Sequence, residues 1–338
     1  MNGGAAHWVE CLYNHHIRTI GLHAPPILQF LQCPFSFRIR PPDDQASATE
    51  ITERLSMKIS PLELLLLEMS SGFYLGAFLL YLSELVLSRP TRVPWAPVTA
   101  GVGGVLFQSL AIFIRFGFQG HVALLSLREV ISFFSWTLVL AFLYLEHQKK
   151  VRILGLFIFA IAFLSTLLVI GISFHAPLFA TRAPIGFLLS LHTILIDLGL
   201  ASAALSFIVA LLYLLLDFFL RRKIFNRFFS RMPSLETLDQ LNTNFSGLGF
   251  VFLTTGLIFA MIWSWKKFGS TIPYASQGRL AFMGALFVWV AYAATVLLRW
   301  SRRFRGKQAA YLSISGFLIF AATMFALVFF SKGSHFIL

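Results

Sequence analysis

Charged residues are scarce in this chain of 338 residues, and their scarcity excludes an ordinary soluble domain. Asp, Glu, Lys and Arg make up 12% of the sequence, hydrophobic residues make up 57%, and the mean hydropathy is +0.78. Acidic residues are fewest, with 14 against 27 basic residues and a formal net charge of +13. A chain of this composition is predicted to be an integral membrane protein.

Cysteines and the common catalytic motifs are also lacking. The chain has two cysteines, no CxxC pair, no Walker phosphate loop and no GxSxG nucleophile motif. The absence of these motifs excludes the redox, nucleotide-binding and hydrolase functions that they mark. GVGG at Gly101 to Gly104 lies in an apolar segment and follows no strand, so it is interpreted as helix packing. Because no nucleophile with a base is visible, no catalysis is predicted for this chain on its own.

Strands of alternating polar and apolar residues are nearly absent, whereas phenylalanine occurs 38 times. In lipid each backbone amide must find its partner within the protein, which favours helices. Eight segments approach the roughly 20 apolar residues that cross a bilayer. The predicted fold is therefore an all-α polytopic membrane bundle of about eight helices, at Leu62–Leu87, Trp95–Ile114, Leu127–Leu145, Ile153–Phe174, Ile185–Leu220, Gly247–Trp265, Leu280–Leu298 and Ala309–Ser331.

Lysine and arginine are distributed unevenly between the loops. The loops after the first, third, fifth and seventh spans, which include the Arg221–Arg231 and Arg299–Lys307 clusters, carry roughly twice as many as the opposite side. Positive loops are retained in the cytoplasm, so both ends of the eight-span core are predicted to lie outside a bacterial cytoplasmic (inner) membrane. The positive charge is assigned to this effect and not to nucleic-acid binding.

Residues 1–56 do not follow the pattern of the spans, because they contain no apolar run long enough for a span or a signal peptide. They are predicted to be a disordered extension or a mis-assigned start, with translation beginning at Met57. An alternative is a metal-binding arm built on Cys11, His15, His16 and Cys33. The spacing of these residues matches no zinc pattern. The eight-helix domain is predicted to occupy residues 57–338.

Four histidines fall near the predicted outer side. His121 opens the third span, His175 follows the fourth, His192 lies in the outer part of the fifth, and His335 follows the eighth. Histidine is the commonest metal-binding side chain and is costly to place in hydrocarbon, so this clustering predicts a bound metal or haem. For His121 or His175 alone, the alternative is an interfacial hydrogen-bonding role. His147 is interpreted as a solvated cytoplasmic residue.

Two acidic residues occur in the same long apolar segment. Asp197 lies five residues after His192, about 140° around a helix, so the two side chains are not expected to pair. Intramembrane acids are functional by default. Asp217 lies near the predicted cytoplasmic end of the segment, so it is alternatively interpreted as marking the end of the span.

Four segments in order resemble the cytochrome c assembly protein family of the CcsA and HemX type. They are GHVALLSLREVISFFSW with His121, Glu129 and Trp136; LHTILIDLGLASAALSF with His192; GLIFAMIWSW together with LAFMGALFVWVAYAATVLLRW; and KGSHFIL with His335. The resemblance covers roughly residues 115 to 338.

The resemblance implies haem handling at the outer membrane face, with His192 and His335 as axial ligands of the iron and His121 and His175 in support. Where the assembling members carry a tryptophan-rich stretch ending in WDPKE, this chain reads WSWKKFGSTIPYASQGR. The aromatic candidates left to contact the haem are Trp263, Trp265 and Tyr274. This departure weighs against haem transfer to an apocytochrome and favours the HemX-like branch. Implied partners are haem, other cytochrome c assembly or haem-synthesis proteins, and the lipid bilayer.

Two further functions stay open from the sequence. A structural or scaffolding subunit without haem would keep its role when the histidines are replaced. A small-molecule transporter would carry broken helices and midplane charges in two matching repeats, and no such repeat is seen.

Overall fold

The computed structural model describes residues 61–86, 95–119, 124, 126–149, 151–171, 187–223, 227–269, 276–300 and 306–333. These residues are almost all helical, which confirms the predicted all-α fold. The helices are α1 Pro61–Val86, α2 Ala96–Gln119, α3 Leu127–Lys149, α4 Arg152–Gly171, α5 Phe187–Arg222, the short α6 Arg227–Ser230, α7 Leu235–Phe268, α8 Ser276–Trp300 and α9 Lys307–Gly333.

Seven of the described helices are long and apolar enough to cross a membrane, namely α1 to α5, α7 and α8. The chain is therefore a multi-pass membrane protein. The eighth predicted span coincides with α9, and the count of eight spans stays a prediction. The division at residue 57 also stays a prediction, because residues 1–60 lie outside the described part of the chain.

The two longest helices exceed the roughly 20 residues that a bilayer requires. α5 has 36 residues and α7 has 34, so α7 begins twelve residues before the predicted span at Gly247. Its start is fixed by Ser234, whose hydroxyl accepts a hydrogen bond from the Thr237 amide, and its end by Gly269 in the left-handed conformation.

An aromatic cluster joins the first helices of the bundle. The Tyr81 ring of α1 stacks on Phe159 of α4 with 5.7 Å between ring centroids, and both rings meet the edge of Phe142 from α3. Helix α5 completes this core through Leu205 and Ile208. A second core forms on the other side of α5, where α7, α8 and α9 meet it at Ala203, Leu253, Tyr292 and Phe320.

Buried hydrogen bonds tie α1, α2 and α3 together. The Tyr74 hydroxyl donates to Gln108 Oε1 at 2.6 Å, and Gln108 Nε2 donates to Ser135 Oγ at 2.8 Å and to the Ser132 carbonyl at 2.9 Å. Lipid offers no competing partner for these groups, so hydrogen bonds between helices help to hold a membrane bundle together.

A second polar network lies at the end of the bundle where α7 begins and α8 ends. Arg299 of α8 donates to Asp239 at 3.2 Å and to Thr243 at 3.0 Å on α7, and it also reaches Ser313 of α9. Its guanidinium is nearly buried, and these acceptors compensate for its removal from water. The polar first turns of α7 are thus satisfied by other helices, which explains why hydropathy alone placed its start too late.

The GVGG segment of α2 is a packing site, as the sequence indicated. A Cβ atom at Gly104 would lie 2.4 Å from Tyr74 Cε1, and one at Gly101 would lie 2.4 Å from Phe159 Cζ. Only glycine allows the two aromatic rings to approach α2 so closely.

We expect Gly104→Ala to destabilise the protein by about 1–3 kcal/mol, because Tyr74 is completely buried and has no room to move away. The matched control is Gly117→Ala on the same helix, where a Cβ would meet no atom within 4 Å. Melting temperatures in detergent should fall for the first variant and stay level or rise for the second. Equal melting temperatures for the two variants would contradict the packing role.

Candidate functional site

His192 lies in the second turn of α5 and points to α7. Its Nδ1 atom is 2.8 Å from the carbonyl oxygen of Gly256. Because a carbonyl oxygen only accepts hydrogen bonds, Nδ1 carries the proton and donates it. In the neutral ring the lone pair is then on Nε2, the nitrogen on the opposite side of the imidazole. The contact fixes both the tautomer and the orientation of the ring.

Three glycines bring α5 and α7 close enough for this hydrogen bond. A Cβ at Gly256 would lie 2.9 Å from Ile196 Cδ1, and one at Gly199 would lie 3.0 Å from Leu253 Cδ2. Gly249 comes seven residues before Gly256, on the same face of α7; there a Cβ would lie 3.1 Å from the Tyr292 hydroxyl of α8 and in ordinary contact, at 3.5 Å, with the Gly199 carbonyl oxygen of α5. We call Gly199, Gly249 and Gly256 the glycine seam.

The two tryptophans predicted at the site lie on opposite faces of α7. Trp263 follows Gly256 by seven residues, so it lies on the face that meets α5, about 10 Å further along the helix axis. Trp265 lies on the opposite face and is 60% exposed. The structure therefore places Trp263, and not Trp265, on the same face of α7 as the His192 contact.

The other predicted site residues lie outside the described residues. These are His121, His175, Tyr274 and His335. Their roles stay predictions from the sequence. In the described ranges, no group of three or more His, Cys, Asp or Glu side chains is placed to hold a metal ion.

Asp197 is turned away from His192, as its position around the helix predicted. It is 2% exposed, and neither carboxyl oxygen has a hydrogen-bond partner among the described residues. Thr193 lies one turn earlier on the same side of α5, where its Oγ1 accepts a hydrogen bond from the Leu124 amide at 3.3 Å. The segment before α3 is thereby attached to α5 next to His192.

A capping box, which was not predicted from the sequence, begins α3. The Glu129 amide donates to Ser126 Oγ at 3.2 Å, and the Ser126 amide donates to Glu129 Oε2 at 3.1 Å. Glu129 Oε1 also accepts from Arg115 of α2 at 3.2 Å. The Ser-x-x-Glu spacing was the available signal, but Glu129 was interpreted only as part of the segment that resembles the family.

These contacts define a class of protein: a polytopic helical membrane protein whose polar side chains gather where α1, α3 and α5 begin and α2 and α7 end. We call this end of the bundle the His192 end. The family model described as "Cytochrome C assembly protein" matches residues 124–335, a range that includes His192, Gly256 and Trp263. The chain belongs to the cytochrome c assembly protein family, and it is a membrane protein of cytochrome c biogenesis.

Several relatives are named cytochrome c biogenesis protein CcsA. The protein from Guillardia theta is 25% identical over 262 residues, covering 70% of this chain and 84% of the relative. The one from Porphyra purpurea is 23% identical over 304 residues, covering 78% and 93%. The one from Prochlorococcus marinus strain NATL2A is 25% identical over 258 residues, covering 68% and 81%. The predicted family is confirmed, and the assignment to its HemX-like branch stays a prediction.

We expect Gly256→Ala to lower the melting temperature in detergent by several degrees, because the added methyl group would press on Ile196 and move α5 away. The same displacement should lengthen the hydrogen bond from His192, which ¹⁵N chemical shifts of the ring nitrogens would report as a loss of the fixed tautomer.

The matched control is Gly247→Ala, on the same helix, where a Cβ would meet no atom within 4 Å. It should leave both the melting temperature and the His192 signals unchanged. If Gly256→Ala behaves like this control, the glycine seam does not hold the histidine.

Proposed function

We propose that this protein binds haem at the outer face of the membrane through His192, as its part in cytochrome c assembly. The observation that carries the proposal is the hydrogen bond from His192 Nδ1 to the Gly256 carbonyl. Histidines that bind metals usually donate their second ring nitrogen to a carbonyl or carboxylate, which orients the ring and makes the free nitrogen a better donor to the metal.

The residues present suit haem better than a bare metal ion. A porphyrin supplies four ligands to its iron, so the protein needs to add only one or two axial side chains. The described helices offer one oriented imidazole and no cluster of three ligands, which matches that requirement. Bound there, haem would supply an iron porphyrin for cytochrome c assembly, with its attachment to the apocytochrome carried out by a partner protein.

Each residue of the site has a separate role in this proposal. His192 would hold the iron through Nε2, with the ring kept in the required tautomer by the Gly256 carbonyl. Trp263, on the same face of α7, would offer apolar surface to the macrocycle. His335 would supply the second nitrogen ligand.

Supporting roles are assigned to the remaining predicted residues. His121 and His175 would assist near the outer face, while Trp265 and Tyr274 would contact haem from the segment that follows α7. The degenerate tryptophan-rich segment favours the HemX-like branch, in which another assembly or haem-synthesis protein would supply the parts for haem attachment. We further propose the bacterial cytoplasmic membrane, with both ends of the eight-span core outside.

The test is a visible absorption spectrum of the protein purified in detergent, before and after addition of haemin. We expect a Soret band for the intact chain. It should weaken in His192→Ala and in His335→Ala, and it should be lost in the double variant, because the iron then has no axial nitrogen.

His147→Ala is the matched control, since His147 is an exposed histidine at the opposite end of α3. Its spectrum should equal that of the intact protein. A protein that stays colourless with added haemin, or a band that survives the double substitution, would contradict the proposal and favour the scaffolding role.

A further inference from the structure

We propose that Arg128 forms a binding site for a carboxylate group between α1, α2 and α3, and that this group is a propionate of the haem bound at His192. The Arg128 side chain is 5% exposed. Its Nε, Nη1 and Nη2 atoms have no hydrogen-bond partner among the described residues. A buried guanidinium without acceptors is costly, so the position calls for an acceptor that a ligand can bring.

The neighbouring charges do not supply that acceptor. Glu63 Oε1 lies 3.7 Å from Arg128 Nη2, which is an ion pair without a hydrogen bond. Glu63 also faces Arg115 at 3.9 Å. Glu129 is engaged by Arg115 and by the Ser126 amide. Arg128 is thus the member of this four-residue cluster whose hydrogen-bonding capacity is unused within the described helices.

A cavity lies beside the guanidinium. Its volume is about 30 Å³, which is room for about two water molecules or the two oxygens of one carboxylate. The walls combine the charged cluster with apolar side chains, among them Leu67, Ala111, Leu124, Phe133 and Val169. The planar guanidinium matches a carboxylate in a two-point hydrogen-bonded pair.

The charges around the cavity are balanced before a ligand binds. Two arginines and two glutamates line it, so their formal charges cancel. α1 and α3 begin beside it, whereas α2 and α4 end beside it at Arg115 and Val169, so the partial charges of the helix dipoles also oppose one another. A carboxylate would therefore be held by the hydrogen bonds of Arg128 and not by an excess of positive charge.

The cavity is linked to the helix that carries His192 through one residue. Leu124 lines the cavity, and its amide donates to Thr193, which follows His192 on α5 and projects about 100° around that helix from it. A ligand that reaches both places needs an iron for His192 and a carboxylate for Arg128, and haem carries both. The choice of a propionate rests on the proposed function, whereas the carboxylate site rests on Arg128 and its cavity.

The experiment compares the affinity for haemin with that for haemin dimethyl ester, whose propionates are blocked. We expect the intact protein to bind haemin about tenfold or more tightly than the ester, the effect of one charged hydrogen-bonded pair. Arg128→Gln should lose that preference while still binding the ester. Arg128→Lys keeps the positive charge but cannot form the two-point hydrogen-bonded pair, so it should retain only part of the preference for haemin.

Arg152→Gln is the matched control, because Arg152 pairs with Glu84 and Glu146 at the other end of α3 and should leave the preference unchanged. His192→Ala should weaken haemin and the ester equally, which separates the iron ligand from the carboxylate site. Circular dichroism and gel filtration identify any variant that fails to fold. A preference for haemin that persists in folded Arg128→Gln would overturn the proposal.

If the protein binds neither haemin nor its ester, the proposed function is refuted, but the carboxylate site at Arg128 is not. A second measurement then tests that site. Formate should raise the melting temperature of the intact protein above that in chloride of equal ionic strength, and Arg128→Gln should abolish the difference. Absence of a formate effect would mean that the cavity holds only water, and the carboxylate site would be refuted. A formate effect with no haem binding would support a site for free carboxylates and exclude the propionate.

Discussion

The close approach of α5 and α7 at the glycine seam is the constraint on which the His192 site depends. In a membrane, apolar surface gains little by leaving lipid for a neighbouring helix, so helices are held by tight contact and hydrogen bonds. Gly199 and Gly249 bring the two backbones together, and Gly256 then presents its carbonyl to His192 at 2.8 Å. A bulkier residue in the seam would separate the helices and leave the imidazole without its partner.

The same constraint explains where the other buried polar groups lie. Gln108 is completely buried and accepts and donates within a network of neighbouring helices, while Arg299 is surrounded by acceptors from α7 and α9. Against this pattern, Arg128 and Asp197 stand out among the charged residues of the described part of the chain, because each is buried and none of its side-chain polar atoms has a hydrogen-bond partner there. Polar groups kept in a membrane without structural partners are those expected to serve a ligand or a proton. The inferred carboxylate site gives Arg128 such a role.

Membership of the cytochrome c assembly protein family and the geometry of His192 point to the same part of the molecule. The family match begins at residue 124, whose amide is bonded to Thr193, and continues through α5 and α7. The predicted departure from the CcsA pattern lies in the stretch that begins with Trp263. The turn of α7 also sends Trp263 and Trp265 to opposite faces, so the two tryptophans do not form one contact surface on that helix.

Much of the fold and part of the site could be predicted from single residues and their spacing. Composition determined the membrane class and apolar length located seven spans, because both depend only on the transfer of side chains into lipid. The α7 start could not be found in this way, since Asp239 is partnered by Arg299 from α8, sixty residues away. The capping box at Ser126 was readable as Ser-x-x-Glu, and Gly104 was correctly read as a packing residue.

Sequence by itself therefore determined that this chain spans a membrane as helices, which family it belongs to and that His192 is an unusual residue in an apolar helix. Only the tertiary structure decided which nitrogen of His192 is free, which tryptophan shares its face of α7, and which arginine lacks acceptors. Each of these three properties depends on which group of another helix, distant in the sequence, lies opposite the residue. The local spacing of residues does not specify that group.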